Sequence, residues 1–285
     1  MRVFAKSRRN VRTTRGLRQG AVAGMSAMSN FIPYCGTPPD PSSLHWNHAP
    51  VLTGMLTAGL ALHFLLPIPA RRRLAFIAGW LLLALCFLSP LCNLSVALFS
   101  ARATQHAIII LLATPLIAFS MPCGAPVRSE RLLVANVVFM LTLWLWHMPL
   151  FLDATLRGNV VYWAMNISIV SAAIWLWRET FGADGLHAFV GVTFTGLQMT
   201  MLGAVLTFAA APLYSVYVVT TIPWGISQLR DQRLGGLIMW VPAGSLMVAY
   251  SAIALWLWLE RFDLRRGSRA IVQIHSAGAQ SEQPT

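Results

Sequence analysis

The sequence predicts an all-α, polytopic membrane protein folded as a seven-transmembrane-helix bundle. Three observations carry this. Of 285 residues, 56% are hydrophobic and 11% charged, where a soluble domain carries roughly 25% charged residues. Seven apolar stretches approach the roughly 20 residues that a helix needs to cross a hydrocarbon core of about 30 Å. All nine acidic residues fall outside or at the ends of those stretches, as the cost of a mid-bilayer carboxylate requires. A soluble enzyme, a disordered tail protein and a disulfide-stapled secreted module are excluded.

The stretches lie at about 50–67, 74–97, 103–121, 132–151, 160–177, 188–211 and 234–258. The first ends in Pro67-Ile68-Pro69-Ala70-Arg71-Arg72-Arg73, a basic turn. The second is interrupted at Ser89-Pro90 and is expected to finish as an interfacial segment. Pro115 and Pro242 should kink the third and seventh spans. Gly235, Gly236 and Gly244 are small positions where a neighbouring helix can approach closely. Most of the eleven Trp residues sit near span ends, where aromatic side chains anchor in the interface.

The net charge of +12 is distributed as a membrane topology signal, with no amphipathic scaffold for a nucleic-acid face. An odd span count places the termini on opposite sides. The side holding the C-terminal tail carries ten Arg residues and the other four, leaving aside seven basic residues in the first 18 positions. The Arg-rich side is therefore expected to be cytoplasmic, with the N-terminus outside. The expected organisation is a basic N-terminal tail at 1–33, a seven-span membrane domain at 34–260 and a cytoplasmic C-terminal tail at 261–285. The N-terminal tail is read as disordered or as a gene-model extension, with Met25 or Met28 as the true start.

The same parity sorts the residues able to do chemistry. Cys35, His45, His48, Cys92, His106, His147, Asp153, Tyr214, Asp231 and Gln232 share the outer side, whereas Cys123, His187 and His275 lie on the cytoplasmic side. Imidazole and thiolate suit copper or zinc, and thioether sulfur adds preference for Cu(I). The candidate metal ligands are His106, His147, Asp231, Cys35, Cys92 and His48, with Met148, Met199 and Met201 as possible sulfur donors. Asp231 is a third ligand or a carboxylate that orients an imidazole. The same residues admit plainer roles. Interfacial His bonds water or headgroups, Asp231 at a helix start complements the dipole, and Cys35 and Cys92 on an oxidising side can form a disulfide. Arg102, one turn from His106, would oppose metal binding unless it points away.

Several segments, in order, resemble the CtaG-type cytochrome c oxidase assembly factor family of bacterial inner membranes. They are Tyr34-Cys35-Gly36, Trp46-Asn47-His48-Ala49-Pro50, Ser89-Pro90-Leu91-Cys92-Asn93-Leu94-Ser95, Leu98-Phe99-Ser100-Ala101-Arg102 and Gln105-His106. Trp146-His147-Met148-Pro149, Pro212-Leu213-Tyr214, Asp231-Gln232-Arg233-Leu234-Gly235-Gly236 and Met239-Trp240-Val241-Pro242 complete the set. The resemblance implies a seven-span protein, without catalytic activity, that handles or presents copper to a haem–copper oxidase subunit. It carries His106, His147 and Asp231 over as the polar positions of the outer side. The family often has a His in span 5, where this chain reads Tyr162-Trp163-Ala164-Met165-Asn166, so Met165 or Asn166 would have to substitute. It also often reads Asp-Gln-Gln where this chain has Asp231-Gln232-Arg233.

Two other functions compete. A transporter of a metal ion or small solute needs polar groups at mid-depth, and Asn166 and Gln198 are the expected facing pair. An intramembrane enzyme lacks a glycine-flanked Ser nucleophile and paired mid-membrane carboxylates.

Overall fold

The structure, a computed structural model, describes residues 32–65, 68–121 and 129–281, with side chains described as far as Asp263. The basic tail expected at 1–33, apart from its last two residues, lies outside the described residues. So do Cys123 and the side chain of His275.

All regular structure among the described residues is helical. The order is α1 (Pro50–Phe64), α2 (Ala70–Leu88), α3 (Pro90–Ala97), α4 (Phe99–Ile108), a π-helical turn (Ile109–Ala113), α5 (Thr114–Ser120) and α6 (Ser129–His147). Then follow α7 (Pro149–Thr155), α8 (Asn159–Gly182), α9 (Gly185–Phe208), two short 3₁₀ turns, α10 (Gln228–Trp240) and α11 (Pro242–Ser281). Helix α11 continues through most of the segment expected to be a C-terminal tail.

Five continuous helical segments are long and apolar enough to cross a membrane: Phe99–Ser120, Ser129–His147, Asn159–Gly182, Gly185–Phe208 and Gln228–Asp263. The protein is a multi-pass membrane protein. The second expected span is a pair, α2 with α3, bent by 50°. Pro90 cannot donate a backbone hydrogen bond and Ser89 caps the next helix by accepting from the Leu91 N–H. The first expected span is α1, a 15-residue apolar helix. At 1.5 Å per residue it is about 22 Å long, short of the hydrocarbon core. The seven expected spans thus correspond to five long segments, one bent pair and one short apolar helix.

The kink expected at Pro115 is a π-helical turn. Pro115 has no N–H for the Leu111 carbonyl four residues back, and the Tyr250 hydroxyl donates to that carbonyl at 2.8 Å. The Ile110 carbonyl receives the Trp177 indole N–H at 2.8 Å and the Thr114 hydroxyl at 2.9 Å. Side chains from α8 and α11 therefore supply the bonds that the helix gives up.

Small residues set the closest packing. A Cβ built on Gly236 of α10 would lie 2.6 Å from the Gly203 carbonyl of α9, and one on Gly235 would lie 2.5 Å from the Phe99 ring. Helix α10 therefore seats directly against α9 and α4, and this three-helix contact positions the site.

Candidate metal centre

His106 and His147 converge. His106 lies on the third turn of α4 and His147 is the last residue of α6. Their ring centroids are 6.2 Å apart with planes at 74°. Both are buried, at 5% and 6% exposure. The His147 Nδ1–H donates to the Leu143 carbonyl at 2.7 Å, which leaves the lone pair on Nε2. Neither ring nitrogen of His106 has a hydrogen-bond partner. A buried imidazole with both nitrogens unmatched is unusual enough to need a ligand or a water as explanation.

The two rings line a small cavity together with Met199 of α9 and Met239 of α10; Ala103, Ala107, Ile110, Leu143 and Ala243 complete its wall. Both thioethers are buried, at 2% and 4% exposure. Met199 stands one turn from Gly203, and Met239 one turn from Gly235 and Gly236, on the faces where these antiparallel helices touch. The close glycine packing therefore brings both sulfurs to the same depth. Two imidazoles and two thioethers form a neutral, soft donor set. Met239 was not foreseen as a donor; its i+4 spacing from Gly235 is the signal in the sequence that could have found it. Met148 and Met201, at 53% and 54% exposure, turn outward.

Asp231 shares this end of the bundle and takes a different part. It is fully buried, and its carboxylate accepts the N–H of Phe99 at 2.6 Å and both the N–H and the hydroxyl of Ser100 at 3.2 and 2.5 Å. It caps the N-terminus of α4 from a neighbouring helix, where a carboxylate is favoured. Both oxygens are engaged by donors of α4, and no group of three or more His, Cys, Asp or Glu residues forms a metal-binding cluster among the described residues.

Cys35 and Cys92 are joined in a disulfide, with Cα atoms 5.5 Å apart, and in that form neither sulfur is a thiolate. The Tyr162 hydroxyl lies 3.3 Å from the Cys35 sulfur. The Asn93 side chain donates to the Cys35 and Thr37 carbonyls, both at 3.0 Å, and the Trp224 indole donates to the Pro39 carbonyl at 3.0 Å. The segment before α1 is thus tied across the end of the bundle. His48 is exposed and lies in the irregular chain before α1, away from any helical i,i+3 pairing with His45.

Span 5 adds no ligand. Met165 and Asn166 are buried in α8 but neither lines the cavity, and the Asn166 amide donates to the Tyr162 carbonyl within its own helix at 2.9 Å. The expected Asn166–Gln198 pair is replaced by other bonds: the Gln198 oxygen accepts the Trp144 indole at 3.0 Å, and Thr195 donates to Asn136 at 2.6 Å. Arg233, where the family often has Gln, donates to the Ala209 carbonyl just past α9 at 3.2 Å.

The loop between α9 and α10 roofs the site. Tyr214 stacks on Phe99 at 4.7 Å and donates to the His147 carbonyl at 2.9 Å, while Tyr217 donates to the Ser95 carbonyl at 2.9 Å. Burial pushes the Tyr214 phenol upward and the Tyr217 phenol to about 12, so both act as hydrogen-bond donors at neutral pH.

No curated protein matches the chain, and no solved structure does. The family model described as cytochrome c oxidase caa3 assembly factor (Caa3_CtaG) matches residues 61–261, a stretch that includes His106, His147, Met199, Asp231 and Met239, and the chain belongs to that family.

Proposed function

We propose that this oxidase assembly factor carries Cu(I) in the cavity between His106 and His147 and presents it, without catalysing a reaction, to a haem–copper oxidase subunit. The protein would sit in a bacterial inner membrane with this end of the bundle outward, its N-terminus outside and its C-terminus cytoplasmic. The observation that carries the reading is the donor set on one small cavity: two buried imidazoles, one with both nitrogens unmatched, and two buried thioethers. The two thioethers add a preference for Cu(I) to imidazoles that suit copper.

The test is metal retention by the detergent-purified full chain under reducing conditions, read against a colorimetric Cu(I) chelator. One Cu(I) per chain is expected for the wild type and none for His106→Ala/His147→Ala. Wild type that retains no copper, or a double variant that retains as much, overturns the proposal. Copper flux through the wild type in proteoliposomes would instead make it a transporter.

A further inference from the structure

Among the described residues, Arg102 is the one cation buried in the interior, and nothing in the copper reading accounts for it. It is 2% exposed and lies one helical turn before His106 on the same face of α4. Its Nη1 donates to the Thr155 hydroxyl at 2.6 Å and its Nε to the Ser95 carbonyl at 3.4 Å. Its Nη2 has no partner. Among the described residues no carboxylate stands within ion-pair distance of it. Asp231 is engaged by Phe99 and Ser100. Asp153, two residues from Thr155, turns to Ser215 and Arg157.

An interior guanidinium bonded only to neutral groups is costly. A tether between α4, α3 and α7 could be made by a neutral side chain, so the charge itself needs a reason. That charge stands one helical turn from the His106 imidazole, on the same helix. The cavity's own donors contribute no negative charge to offset it. In a low-dielectric interior the repulsion between Arg102 and a bound ion rises in proportion to the ion's charge, and the ion's desolvation cost rises with the square of that charge. The same fixed cation therefore penalises a divalent ion about twice as heavily as a monovalent one, in free energy, and the ion's own desolvation cost adds to that difference.

Resting on the copper reading above, we infer that Arg102 is a specificity-determining residue of the site: its unpaired charge favours a monovalent soft cation over divalent ions such as Zn(II). Imidazole alone would not make that distinction, because it binds zinc readily. The same repulsion keeps the monovalent ion weakly enough held to be passed on.

The experiment titrates the detergent-purified full chain with Ag(I), a redox-stable monovalent probe, and with Zn(II). Wild type should bind Ag(I) more tightly than Zn(II). Arg102→Met should tighten Ag(I) about tenfold and Zn(II) about a hundredfold, the squared ratio that a doubled charge demands. Arg102→Lys, which keeps the charge and loses the fork, should keep the wild-type preference. Ala107→Asp adds a counter-charge to the cavity wall with Arg102 in place, so it should tighten Zn(II) even where Arg102→Met folds poorly. Equal shifts for the two ions, or no shift in either Arg102→Met or Ala107→Asp, overturn the inference while Ag(I) binding by the wild type leaves the copper reading standing. Wild type that binds neither ion overturns both.

Discussion

Asp231 and Phe99, 132 residues apart in sequence, are joined by a 2.6 Å hydrogen bond in which the carboxylate of one helix caps the first amide of another. The bond fixes where α4 starts and so where His106, two turns along, points. Hydrogen bonds to a charged acceptor are each worth about 1.5–3 kcal/mol, and a buried donor left unmatched costs a further amount of the same order. Asp231→Ala should therefore lower stability by about 3 kcal/mol or more, read as a fall in the thermal midpoint of the detergent-solubilised protein. Asp231→Asn should fall between. Because both carboxylate oxygens accept hydrogen bonds from α4, the Asn variant should still bind one Ag(I) per chain; loss of the ion from a folded Asn variant would make Asp231 a ligand.

The two thioethers should matter to the ion and little to the fold. Met→Leu swaps nearly conserve volume and usually cost under about 1.5 kcal/mol. Met199→Leu and Met239→Leu should therefore melt close to wild type. Each should weaken Cu(I) by at least the roughly 10–100-fold that follows loss of a group supporting a metal site. Competition against a Cu(I) chelator measures it, and unchanged affinity in the double Leu variant would reduce the site to the two imidazoles.

The Cys35–Cys92 bond closes a loop of 57 residues, and chain-entropy arithmetic for a loop of that size gives about 4 kcal/mol at most. Cys35→Ser/Cys92→Ser should lower the thermal midpoint, and a reductant that opens the bond in the wild type should do the same while leaving the variant unaffected. Neither treatment should remove Ag(I) from the His106–His147 cavity. If the ion leaves when the cysteines go, the ligand set includes sulfur from this pair.

Much of the site was legible because depth in a membrane follows from chain order. Counting crossings put His106, His147 and Asp231 at one end, and the structure places all three there. Chain order says nothing about azimuth, the direction a side chain takes around its helix. Asp231 is at the right depth and serves the α4 amides. Met201 is two residues from Met199 and turns outward, about 200° around the helix. Met239 was hidden by the habit of reading Met as packing, although the glycines one turn before it mark the face that meets its neighbours. The span count blurred for a similar reason: α1 is apolar enough to resemble a crossing, and its 15 residues are too few for the thickness. Pairing of Cys35 with Cys92 was one of two readings open in the sequence, since two sulfurs on one side suit a disulfide and a metal equally.

The glycines of α10 differ in what they carry. At Gly236 an added Cβ would meet the Thr207 hydroxyl, the Gly203 carbonyl and the Thr207 amide at 2.5, 2.6 and 2.7 Å. Two of those three atoms are backbone, so relief requires α9 and α10 to separate. Overpacking of that kind costs about 1–3 kcal/mol, and here it also displaces Met199 and Met239, each one turn from the contact along its own helix. Gly244 of α11, by contrast, would place its Cβ 3.3 Å from a single hydroxyl, that of Thr200, which can rotate away. Gly→Ala inside a helix otherwise gains about 0.5–1 kcal/mol. Gly236→Ala should therefore lower both the thermal midpoint and the Cu(I) affinity, whereas Gly244→Ala should melt at or slightly above wild type with its copper intact. Equal behaviour of the two variants would mean that the α9–α10 contact does not set the geometry of the site.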